Sequence, residues 1–97
     1  MSESFLIGRL VATKGVNDLS NANHEFSNFM AKCFSRYEAC DWGDLCDSDR
    51  KQNDRAVKTG NERIMAAYKH PTHEEWRLWI ITEWDRSVTT ILFPSEY

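Results

Sequence analysis

Ninety-seven residues, 41% of them hydrophobic and 28% charged, make one domain with one small core. Four glycines and two prolines are too few for a disordered or low-complexity tail. Twelve Lys and Arg against fifteen Asp and Glu leave a net charge of −3, which argues against the broad basic face that nucleic-acid binders use.

No apolar run approaches the roughly 18 residues of a membrane span. Met1-Ser2-Glu3-Ser4 has no basic stretch leading into an apolar one. The expectation is a soluble, cytoplasmic, single-domain protein over residues 1–97, with no membrane partner and no direct nucleic-acid contact.

Residues 5–13 are apolar and partly β-branched, which predicts a strand. Lys14-Gly15-Val16-Asn17-Asp18 is turn chemistry. Asn21 or Asn23 then caps a helix. Phe26, Phe29, Met30, Cys33, Phe34 and Tyr37 recur at i, i+3, i+4, i+7, i+8 and i+11. That spacing predicts an amphipathic helix over about residues 23–38 whose aromatic stripe is core. Asp41-Trp42-Gly43-Asp44 breaks the helix. Asp47 or Ser48 caps a second helix that runs to about Lys58 and ends at Thr59-Gly60-Asn61. Its apolar stripe is thin (Leu45, Cys46, Ala56 and Val57), so it should lie on the surface with Asn53 near its buried edge.

Three strand-like runs follow: Glu62–Tyr68, Trp76–Trp84 and Ser87–Phe93. Lys69–Glu75, with Pro71, suits a hairpin loop, and Asp85-Arg86 suits a tight turn. The reading is an α+β fold, β-α-α-β-β-β. It has a small antiparallel sheet, helices packed on one face, and the first strand at an edge. Phe26, Phe29, Met30, Phe34, Ile64, Ile80 and Ile91 are the expected core.

The odd set Cys33, Cys40 and Cys46 makes a poor disulfide framework, and its spacing matches no zinc pattern. His24, His70 and His73 sit in separate segments. No metal and no cofactor are expected. Motifs of nucleotide binding, hydrolase nucleophiles and metalloproteases are absent from the sequence.

Charge is patterned more sharply than any motif. Glu38, Asp41, Asp44, Asp47 and Asp49 fall within twelve residues that hold no Lys or Arg. Arg50, Lys51, Arg55 and Lys58 follow, against Asp54. Acids before a helix start and cations near its end suit the helix dipole. Trp42 is either a loop anchor for a partner or a plug that closes the core. Glu83 and Asp85 share a strand face, and Arg86 suits bidentate carboxylate binding with Glu83, Asp85, Asp41 or Asp44 as candidates. The Asp41–Asp44 loop and the Glu83–Arg86 turn are expected to meet at one sheet end.

The ending Trp79-Ile80-Ile81-Thr82-Glu83-Trp84-Asp85-Arg86-Ser87-Val88-Thr89-Thr90-Ile91-Leu92-Phe93-Pro94-Ser95-Glu96-Tyr97 resembles that of a small bacterial family labelled "plasmid related protein". So do Ala12-Thr13-Lys14-Gly15-Val16, Asp41-Trp42-Gly43-Asp44, Asn53 and Arg63-Ile64-Met65-Ala66-Ala67-Tyr68. Cys40 stands where that family would carry Gly, Ala66 replaces a Ser, and Trp84 replaces a smaller residue. The resemblance implies a mobile-element setting of plasmids, phages and integrated elements, and no particular activity.

Two functions are expected on these grounds. The first is a non-enzymatic protein-binding inhibitor of a host defence system, of anti-CRISPR or antirestriction type. Its partner would be a host protein, a nucleic-acid-binding effector met by an acidic surface. Its candidate binding residues are Asp41, Trp42, Asp44, Asp47, Asp49, Glu83, Asp85 and Arg86. The alternative is a minimal enzyme or ligand-binding domain built on Asp41, Asp44, Glu83, Asp85 and Arg86.

Overall fold

The aromatic stripe decides the largest element. In the computed structural model, which describes residues 5–97, a long helix spans His24–Glu38. Asn23, in extended conformation, accepts the Phe26 N–H at 3.1 Å and starts it. Phe26, Phe29, Cys33 and Tyr37 are buried along one side. Met30 and Phe34 are only half-buried, contrary to expectation. At 100° per residue they fall on the flank of that arc, next to the solvent boundary.

In chain order the elements are β1 (Arg9–Ala12), α1 (Lys14–Ala22), α2 (His24–Glu38), α3 (Asp47–Thr59), β2 (Ile64–Lys69), β3 (Arg77–Thr82) and β4 (Val88–Leu92), then a 3₁₀ turn, Pro94–Glu96. The sheet order is β1-β4-β3-β2. β2, β3 and β4 form the antiparallel meander, and β1 joins the outer edge parallel to β4. The α+β architecture stands.

Two local readings change. The segment expected to turn at Lys14–Asp18 is the first half of a helix, α1. Tertiary contacts override its weak local propensity. Val16 is fully buried and Leu19 packs on the core. From the other end of the chain, Glu96 accepts the Gly15 N–H at 3.0 Å and the Thr13 hydroxyl at 2.5 Å. A carboxylate at a helix N-terminus satisfies orphan N–H groups and suits the dipole.

β1 is also shorter than residues 5–13. Gly8 has φ +67, and a Cβ there would collide with the Arg86 and Ser87 carbonyl oxygens. The strand starts only beyond it. Phe5 instead packs its ring on Tyr37 and Trp42.

The pleat separates two sheet faces. Ile64, Ala66 and Tyr68 of β2 lie level with Thr82, Ile80 and Leu78 of β3, and Ile80 with Ile91 of β4. This face meets α2, and its residues are buried. Met65, Ala67, Trp79, Ile81, Thr90 and Leu92 occupy the other face.

Buried hydroxyls on the covered face are all paired. Thr89 donates to the Ile7 carbonyl at 2.7 Å. Thr82 Oγ1 lies 2.7 Å from Thr89 Oγ1, and the Tyr37 hydroxyl 2.7 Å from Thr82 Oγ1. Since Thr89 spends its proton on Ile7, the chain runs one way: Tyr37 donates to Thr82, and Thr82 to Thr89. Burial raises the Tyr37 pKa, so its proton stays in place.

Candidate functional site: an acidic strip on the closed sheet edge

The strip begins where α2 ends. Cys40, at φ +62, turns the chain, and the Cys40 and Asp41 N–H groups bond the Tyr37 and Arg36 carbonyls. Arg36 then grips Asp41 with two bonds, Nε–Oδ2 at 2.8 Å and Nη2–Oδ1 at 3.2 Å. This pair, helped by the Gly43 N–H, holds the Asp41 carboxyl below the usual carboxylate range.

Residues 42–44 run along β2. The Ala67 N–H reaches the Trp42 carbonyl at 3.4 Å, and the Asp44 N–H donates to the Ala67 carbonyl at 2.8 Å. Such close approach needs glycine: a Cβ on Gly43 would collide with the Ala67 oxygen. Tyr68 donates its hydroxyl to the Asp41 carbonyl at 2.7 Å, and Arg50 donates to the Gly43 carbonyl at 3.0 Å. Trp42 is 4% exposed and donates Nε1–H to Asp54 at 2.9 Å. It is the plug and leaves the candidate binding set, since its ring lies against Phe5 and Tyr37 rather than in solvent.

α3 fixes the rest of the strip. Cys46, not Asp47 or Ser48, is its N-cap residue, which places Asp47 and Asp49 in the first turn. Asn53 is buried and spans the edge of β2: it donates to the Met65 carbonyl at 2.7 Å and accepts the Met65 N–H at 3.4 Å. Glu38, Asp41, Asp44, Asp47 and Asp49 are all exposed. Asp47 lies 3.7 Å from Arg50. Among the described residues, Glu38, Asp44 and Asp49 have no cation within ion-pair distance.

Beside the strip lie two shallow cavities that the sequence pattern does not announce. One, of about 240 Å³, is lined by Asp49, Gln52, Asn53, Arg63 and Met65. The other, of about 410 Å³, is lined by Asp44, Lys69, Arg77, Trp79 and Pro94. The signal for Arg63, Lys69, Arg77 and Trp79 is the two-residue alternation of β2 and β3, which aims them at the sheet face away from α2.

Glu83, Asp85 and Arg86 do not join this group. They form the β3–β4 turn, beyond the Ile64–Thr82 pair, whereas the acidic loop docks at Ala67, three residues or about 10 Å along β2. Asp85 is exposed and accepts the Ser87 N–H at 3.0 Å, and the Ser87 side chain first, then that N–H, lower its pKa.

Arg86, expected among carboxylates, bonds main-chain carbonyls instead. The guanidinium donates to Ala56 at 2.9 Å, Glu62 at 2.6 Å, and Glu83 and Trp84 at 3.2 Å each. Ala56 is in the last turn of α3, at the negative end of the dipole, and its carbonyl also accepts the Gly60 N–H at 2.9 Å. The backbone of Arg86 is left-handed, φ +61.

Among the described residues, no three His, Cys, Asp or Glu side chains are placed to share a metal ion. Cys33 is buried, which pushes its thiol up to about 12. His70 accepts the Thr72 and His73 N–H groups through Nδ1, and His73 stacks on Trp76 at 4.0 Å. No described helix is long and apolar enough to cross a membrane. No protein-family model, curated protein or solved structure matches the chain.

Proposed function

We propose that this chain is a non-catalytic accessory protein of a bacterial mobile element. It binds a host protein, a nucleic-acid-binding defence effector of CRISPR or restriction type, through its acidic strip. The mobile-element setting rests on the family resemblance, which spans most of the chain, includes the Asp41–Asp44 loop and is strongest after residue 79.

One observation carries the binding mode. Five exposed carboxylates, three of them without an ion pair among the described residues, run from the end of α2 (Glu38) over a loop and helix start bonded to a sheet edge. Negative charge held on a rigid base complements a basic channel and steers encounter, at little cost in ordering on contact. The alternative site on Asp41, Asp44, Glu83, Asp85 and Arg86 falls into two separate clusters, which disfavours it as one catalytic constellation.

The test titrates purified CRISPR and restriction effectors with the protein and reads DNA binding by the effector. The wild-type protein should block it, less well as salt rises. The double charge reversal Asp44→Lys/Asp47→Lys should abolish the block with the fold intact. Block that survives charge reversal, or an activity lost in Glu83→Gln, would overturn the reading.

A further inference from the structure

The two edges of a sheet present the same problem, a row of N–H and C=O groups without strand partners. On β2 those outward groups belong to Met65, Ala67 and Lys69, and the first two residues are bonded, to Asn53 and to the 42–44 loop. On β1 they belong to Leu10 and Ala12. The Arg9 and Thr13 N–H groups donate into β4, to Ser87 and Ile91 at 3.0 Å each. In a parallel ladder alternate residues face the partner strand, so Leu10 and Ala12 face away. No described residue covers them: Ala12 is exposed and Leu10 is 47% exposed.

We propose that β1 pairs with β1 of a second copy of this chain, antiparallel, joining two four-stranded sheets into one of eight strands. The register follows from the strand itself. Pairing Leu10 with Leu10 would set Ala12 against Gly8, whose left-handed backbone is off the strand, and leaves only one doubly bonded pair. Pairing Val11 with Val11 sets each Leu10 against Ala12 of the second copy. Both pairs then exchange N–H and C=O, giving four main-chain bonds.

That register also complements in shape and charge. Each exposed Leu10 covers a small Ala12. On the face away from α2, Arg9 falls opposite Thr13 of the second copy. The Thr13 hydroxyl holds Glu96, so the contact brings Arg9 to a carboxylate twice, once in each direction. Among the described residues Arg9 has no ion pair within its own chain. An interface of one short strand buries little area, so the dimer is weak and forms with concentration. The proposal does not depend on the acidic strip, which lies on the opposite edge.

Light scattering over roughly a hundredfold range of concentration reads it directly. The mass should rise towards twice that of the chain and fall back in high salt. Leu10→Lys puts a cation on the open edge and should raise the dissociation constant by about tenfold or more. In a Cys46→Ser background, Val11→Cys should form an intermolecular disulfide under mild oxidation. The Val11 pair is not hydrogen-bonded, and its Cα atoms would lie about 4.5 Å apart. Asn28→Cys, on the exposed side of α2, should not. A mass constant at one chain throughout overturns the proposal. So does a dimer that Leu10→Lys leaves intact and that Val11→Cys fails to cross-link above the Asn28→Cys control.

Discussion

The edges of this sheet are managed in different ways. Over Met65 and Ala67 the β2 edge is shut by one buried amide, Asn53, and by a loop that glycine lets approach at contact distance. The β1 edge is four residues long and keeps two of them open. Closing an edge costs side chains that do nothing else, and here the closing elements also carry the acidic strip. The closure is thus what makes the charge rigid: Asp44 is held by its own backbone bond to β2, and Asp49 rides on the helix that Asn53 anchors. The open edge has no such scaffold, and what it offers is main-chain pairing.

Breaking the closed edge should give the largest effects. Asn53→Ala leaves the Met65 N–H and C=O unpaired beneath α3, and should cost about 2–4 kcal/mol in a denaturant titration. Arg86→Ala strips the Ala56 carbonyl of α3 and the Glu62 carbonyl beyond it of their cation, and about 1.5–3 kcal/mol should be lost. Arg86→Gly sharpens this: glycine relieves the left-handed backbone, so it should be less destabilising than Ala while still below wild type.

Trp42→Phe retains an aromatic plug and loses only the bond to Asp54, which should cost about 0.5–1.5 kcal/mol. At the open edge, Leu10→Lys should stay within about 0.5 kcal/mol of wild type, because nothing among the described residues folds over it.

The smallest effect is a pH dependence at the open end. Glu96 is held below its ordinary value, first by the Thr13 hydroxyl and then by the Phe93 and Gly15 N–H groups. A lowered carboxyl pKa contributes stability above the unfolded value of 4.5, and the contribution is lost as pH falls through the folded value. Glu96 is exposed, so its worth is about 0–1 kcal/mol. Thermal melts from pH 7 to pH 3 should therefore fall slightly less steeply for Glu96→Gln than for wild type.

The core and the meander are legible in the sequence because each is periodic over its own length. The stripe from Phe26 to Tyr37 and the alternation of β2 and β3 are local patterns. So is Asn53, a polar residue on the apolar side of a charged helix. What stays hidden depends on partners distant in sequence. α1 needs Glu96, more than eighty residues away, to cap it. Arg86 could meet any of four carboxylates, and only the position of the α3 C-terminus sends it to carbonyls. Trp42 is ambiguous between anchor and plug until Phe5 and Asp54 are seen to enclose it. The acidic strip is legible as charge, whereas its attachment to β2 is not, because Gly43 alone does not say which strand it approaches.

Amide hydrogen exchange tests the contrast of the two edges most directly. At low protein concentration, the Met65 and Ala67 N–H groups should exchange slowly, near the rate of global unfolding, and those of Leu10 and Ala12 should exchange fast. Raising the concentration should protect Leu10 and Ala12 alone. Fast exchange at Met65 and Ala67, or slow exchange at Leu10 and Ala12 in dilute protein, would contradict a sheet closed at β2 and open at β1.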